Sequence, residues 1–178
     1  MRLKAAGAGS RRRAILARLI ALLLTFELVC AQPAGASAPF TVKELAEYRL
    51  GLAMFQRFDR ASRLIASATA ADRRLAGDPL FTRDVSVLGD VVEVATALEA
   101  RLAREPAFAA ALGAAGLSAH EYTRFALALM AARLAHGFVR SGAMRFVPPG
   151  VATDNVAFVE AHQAEIAAVL QALGVEEP

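Results

Sequence analysis

The chain has 178 residues, 56% of them hydrophobic and 21% charged, with one cysteine, no tryptophan and a formal net charge of +3. That length suits a single domain with a sizeable core, and one cysteine excludes both a disulfide framework and a cysteine-built metal site. The basic balance does not imply nucleic acid: residues 1–36 hold six Lys/Arg against one acid, so the remainder is slightly acidic.

Residues 1–36 read as a cleavable secretory signal. Met1–Arg13 is basic through Arg2, Lys4, Arg11, Arg12 and Arg13. Leu19–Val29 is apolar except for Glu27, and small residues follow from Cys30 to Ala36. The apolar run is about 11 residues, too short for a hydrocarbon core that needs roughly 20. Cleavage is expected after Ala31 or after Ala36, leaving residues 37–178 as one domain with no permanent transmembrane helix. The protein is then exported, periplasmic or extracellular, with a cell-envelope partner. The alternative is a lipoprotein anchored at Cys30, against which Val29 stands where such signals want a small residue. Ser10-Arg11-Arg12-Arg13-Ala14-Ile15-Leu16 resembles a twin-arginine signal, with alanine where that pattern prefers phenylalanine, so both export routes stay open.

Beyond the signal, alanine is abundant and β-branched runs are scarce, so the chain favours helix throughout. Thr41-Val42-Lys43-Glu44 is a capping box that opens a helix to about Ala70. Its stripe is Leu50, Met54, Phe58, Ala61 and Ile65, widened by Leu45, Leu52 and Phe55. Gly77-Asp78-Pro79 breaks the pattern, and a second helix follows from about Asp84 to Arg104. Pro106 starts a short helix, Ala107 to Leu112, closed by Gly113 and Gly116. Ser118-Ala119-His120-Glu121 is a second capping box, opening the most apolar helix, to about Val139. A turn-rich loop runs from Ser141-Gly142 to Pro148-Pro149-Gly150. Thr153 or Asp154 then caps a last helical stretch that bends near Ala161 and ends at Gly174. The expected fold is all-α: a single antiparallel bundle of four long helices plus one short one.

Two clusters are candidates for chemistry. His136 falls on the stripe Tyr122, Phe125, Leu129, Ala132, and His162 on the line Val159, Ile166, Val169, Leu173. Both therefore face inward, with Glu165 one turn beyond His162. Two imidazoles on neighbouring helices could ligate haem or a metal, with Met54 as another axial ligand. The alternative is that both pack and hydrogen-bond. No Cys-x-x-Cys-His run or paired Glu-x-x-His motif supports a cofactor, and none is expected. Arg49, Arg57, Arg60 and Arg63 gather near one face of the first helix, followed by Arg73 and Arg74. They form either a patch for an anionic partner or a solvated face paired with Asp84, Asp90, Glu93 and Glu99 of the second helix. The second reading is preferred.

Catalysis finds no motif. Ser118 and His120 are neighbours, but Ser118 is better explained as a helix cap. No Gly-x-Ser-x-Gly turn, His-Glu-x-x-His helix or phosphate loop occurs, and Glu160 and Glu165 are not a positioned pair. Arg145-Phe146-Val147-Pro148-Pro149-Gly150 places apolar groups on a stiff segment, which serves either recognition or packing onto the bundle.

From Ala115-Gly116-Leu117-Ser118 and Glu121-Tyr122 through Pro148-Pro149-Gly150 to Asn155-Val156-Ala157-Phe158-Val159, the chain resembles small Ala-rich exported bacterial proteins of no assigned activity. The resemblance covers about 60 residues, made of caps and turns. It implies export and an all-α fold, and no activity or site residue. The expectation is a non-enzymatic binding or envelope-associated module; the alternative is a small haem or metal protein using His136 and His162.

Overall fold

A computed structural model describes residues 41–76 and 91–175, apart from the side chains of Val42, Arg73 and Ala76. The expected signal, both cleavage positions, Cys30, Asp84 and Asp90 lie outside the described residues. Within them the protein is an all-helical bundle. In chain order the helices are α1 (Val42–Glu47), α2 (Leu52–Ala71), α3 (Arg73–Ala76), α4 (Val91–Arg104), α5 (Pro106–Ala115), α6 (Ala119–Arg140), α7 (Thr153–Ala161) and α8 (Gln163–Ala172).

Both capping boxes form. At α1 the Glu44 amide donates to Thr41 Oγ1 at 3.2 Å, while the Thr41 amide donates to the Glu44 carboxylate at 3.1 Å. At α6 the reciprocal pair is Glu121 to Ser118 Oγ, 3.1 Å, and Ser118 to Glu121 Oε2, 2.8 Å. Each pair satisfies two amides that a helix start would otherwise leave open. Pro106 opens α5 as expected, but the helix continues through Gly113 to Ala115. It stops at Gly116, whose φ of 70° lets the Leu117 amide reach back to the Leu112 carbonyl at 3.0 Å. Gly113 alone is too weak a stop: one glycine costs a helix only about 1 kcal/mol.

The first expected helix is two. Tyr48, Arg49 and Leu50 leave helical geometry, and α2 begins after an extended Gly51 with φ −142° and ψ 148°. Asn155, on α7, holds this break: its Oδ1 accepts from the Leu50 amide at 2.8 Å and its Nδ2 donates to the Tyr48 carbonyl at 2.9 Å. Two backbone groups freed by the break are satisfied by one buried side chain. Leu52 consequently starts a new helix and is half exposed, whereas Phe55, Phe58, Ala61 and Ile65 carry the stripe inward.

The last stretch is also capped differently from expectation. The N-cap of α7 is Ala152, with no side-chain cap, and Thr153 and Asp154 sit in the first turn. Asp154 still favours that end, since a carboxylate complements the exposed amides of a helix start. The expected bend is present: α7 ends at Ala161, α8 begins at Gln163, and His162 between them has φ −122° and ψ 28°.

Packing puts α2 and α6 at the centre. α2 lies chiefly against α5, α8 and α6, while α4 packs on α6 and α5, and α7 on α6. Phe58 meets Tyr122 at 4.7 Å and Phe125 at 4.9 Å between ring centroids. Such rings contribute about 0.5–1.5 kcal/mol per pair beyond the area they bury. Ala61, Ala95, Ala126 and Ala132 are buried, and their small side chains let the helices approach closely. Among the described residues no helix is long and apolar enough to cross a membrane.

Candidate functional site

The helical core is continuous along α6 as far as Ala135 and then stops. His136 is partly buried, and every residue from Gly137 to Phe146 is exposed. The last turn of α6 and its loop therefore stand out from the bundle. The chain reverses there on Gly142, φ 75°, with the Gly142 amide bonded to the Val139 carbonyl and the Met144 amide to the Phe138 carbonyl, both at 3.1 Å. That reversal seats Met144 beside the end of α6. Phe146, next along, is 82% exposed. Of the two readings open for the 145–150 loop, packing of Phe146 onto the bundle does not occur.

On the side of α6 facing α7 and α8, this projection bounds a groove of about 680 Å³. Its walls are Met130, Leu134 and Phe138 on α6, Val159 and Ile166 across from them, and Val175 beyond α8. Arg133, Arg140, Ser141, His136 and Gln163 supply its polar groups, and among the described residues no carboxylate lines it. Gln163 Nε2 and His136 Nε2 lie 3.3 Å apart, a contact in which the donor is set by which ring nitrogen carries hydrogen and by how the amide is turned. Gly137 also lines the groove, and a Cβ there would meet nothing within 4 Å.

The candidate ligands fall in different surroundings. His136 opens on the groove. His162, at the α7–α8 joint, packs its ring on Phe158 at 4.5 Å and Phe55 at 6.2 Å, with Nδ1 3.9 Å from Glu165. Met54 is partly buried against the core. Among the described residues no group of three or more His, Cys, Asp or Glu is placed to hold a metal ion.

Two of the four expected first-helix arginines, Arg49 and Arg57, hold helix ends. Arg49 Nη1 donates to the carbonyls of Ala46, Glu47 and Tyr48 at 3.3, 3.0 and 3.4 Å, closing the C-terminus of α1. Its Nε is 3.8 Å from Asp154. Arg57 reaches the Gly116 carbonyl at the end of α5, 3.5 Å away. Arg63 pairs with Asp59 one turn back on its own helix at 2.8 Å, and Arg60 is exposed. Among the described residues α2 packs on α5 rather than on α4, so its arginines do not pair with Glu93 or Glu99, while Asp84 and Asp90 lie outside the described residues. The α4 carboxylate Glu99 instead holds His120 at 2.7 Å, and Arg74 reaches Glu105 at 3.0 Å. Ser118 is a cap, as its sequence position indicated, and His120 is the partner of Glu99.

Gln163 had no motif to mark it; its importance comes from the joint that turns it toward His136. No protein-family model, curated protein or solved structure matches the chain.

Proposed function

We propose that the protein is an exported, non-enzymatic binding module of the cell envelope, whose site is the groove between α6 and the α7–α8 joint. The observation that carries this is the groove's lining: apolar walls, a polar pair at His136 and Gln163, and, among the described residues, arginines as its permanently charged groups. A concave, mostly apolar site with a few polar groups fits a small ligand. The charge selects an amphiphile with an anionic head, its chain along Met130, Leu134 and Ile166 and its head toward Arg140. Export rests on the three-zone order of residues 1–36.

The test is titration of the full chain with laurate, comparing wild type with Gly137→Leu, which places a side chain in the groove from an open position on α6. Saturable binding weakened about ten-fold by that substitution is expected; unchanged binding, or none, overturns the reading. An absorbance spectrum with a Soret band, or stoichiometric metal, removed by His136→Ala or His162→Ala, would replace it with the cofactor reading. Export predicts a processed chain beginning at Gln32 or Ser37, whereas an intact N-terminus in the cytoplasm counts against it.

A further inference from the structure

We propose that the projecting tip of α6, with the loop that follows it, docks the protein on an anionic lipid surface. Three observations carry this. First, the described chain has eight exposed large hydrophobic residues, and five of them are clustered here: Leu134, Phe138, Val139, Met144 and Phe146. Met144 is tied to Phe138 by the backbone bond of the reversal, so the cluster spans helix and loop as one surface. Second, the tip protrudes. Every residue from 137 to 146 is exposed, so this segment is open to a partner along its whole length.

Third, the segment's own charge is positive. Between Glu121 and Asp154 the chain has no Asp or Glu, and Arg140 and Arg145 fall within the apolar cluster. Among the described residues neither arginine has a carboxylate partner. An arginine stem lies along apolar surface while its guanidinium binds phosphate oxygens in a fork. Exposed aromatics interleaved with arginine along one projecting segment is the composition of a surface that enters the headgroup layer without spanning the bilayer. A second copy fits less well, because a two-fold contact through this tip would bring Arg140 and Arg145 against their own counterparts.

This inference rests on the envelope part of the proposed function; it shares Leu134, Phe138 and Arg140 with the groove, so its readout is placed at Phe146, outside the groove lining. The chain contains no tryptophan, so Phe146→Trp gives a single emitter at the tip, and Leu64→Trp gives a control on α2. Both substitutions replace exposed side chains, and a retained helical circular dichroism spectrum verifies the fold. The full chain is mixed with phosphatidylglycerol-containing vesicles, phosphatidylcholine vesicles, or no lipid. With phosphatidylglycerol, the emission of Phe146→Trp should shift to the blue and be quenched by brominated acyl chains, while Leu64→Trp is not quenched. Adding Arg140→Gln and Arg145→Gln should weaken that response at least five-fold. The local readout separates the tip from any lipid binding by the basic, apolar N-terminus.

Equal quenching at both positions, or none at either, overturns the proposal. A concentration-dependent blue shift without lipid assigns the tip to a second copy instead. Laurate binding that survives loss of the vesicle response separates a failure here from a failure of the groove reading.

Discussion

The side chain of Asn155 accepts a 2.8 Å hydrogen bond from the backbone amide of Leu50, 105 residues earlier in the chain. Its amide nitrogen simultaneously bonds the Tyr48 carbonyl, and the residue is only 2% exposed. Asn155→Ala therefore strands two backbone groups at once and should cost about 3 kcal/mol. Asn155→Asp removes the donor and should be destabilising too. Denaturant midpoints measure the loss, and hydrogen exchange at Leu50 should accelerate more than at amides within α5.

Tyr122 and Ser62 form the second buried polar pair, hydroxyl to hydroxyl at 3.0 Å with both residues fully buried. Burial holds the phenol's pKa well above its usual value, so the pair stays neutral throughout the working pH range. Tyr122→Phe leaves the serine hydroxyl unpaired and should cost about 1–2 kcal/mol. The double variant with Ser62→Ala should cost less than the sum of the singles. Strict additivity in a thermal-melt cycle would show that the bond contributes nothing.

Thr123 is fully buried on α6, and its hydroxyl has no hydrogen-bond partner among the described residues. Thr123→Val replaces that hydroxyl with a methyl of nearly the same shape. It should stabilise the bundle by about 1 kcal/mol, seen as a raised Tm. A fall in Tm would mean that the hydroxyl is serving some partner after all.

Glu121 links stability to acid. Hydrogen bonds from Ser118, the backbone amide first, hold its carboxyl below the ordinary value. Because the folded pKa is the lower one, the stabilisation is present above the unfolded pKa and is lost as pH falls through the folded value. Stability of the wild type should therefore decline below about pH 4.5, and Glu121→Gln should decline less steeply. Parallel curves for the two proteins would assign the acid sensitivity to other carboxylates.

Local signals carried much of the fold. Thr41-Glu44 and Ser118-Glu121 are complete motifs within four residues, and Pro106 and Gly116 act through their own dihedral preferences, so each was readable before packing was known. The interruption at Tyr48–Gly51 was not. The stripe from Leu45 to Ile65 continues across it, and Gly51 is too small a penalty to signal a stop. What makes the break is Asn155, whose partners lie on the opposite half of the chain. The site divides the same way: the stiff apolar segment around Phe146 was legible but its exposure was not, since packing onto the bundle stayed open, and the groove needs α6 and the α7–α8 joint to be placed side by side. His136 was visible as a candidate and Gln163 was not, because their relation is tertiary.

The clamp between Asn155 and Leu50 also sets an order of events. A chain emerging from its N-terminus can wind α1 and α2 early, from local bonds alone. It cannot fix the angle between them until α7 has been made and brought back across the bundle. Closing so long a loop for two hydrogen bonds is entropically late, so the final seating of the N-terminal helix waits on nearly the whole chain. Until then α1 and α2 form a loosely jointed pair, and a ribosome-bound intermediate would have its native helices but not yet its native shape.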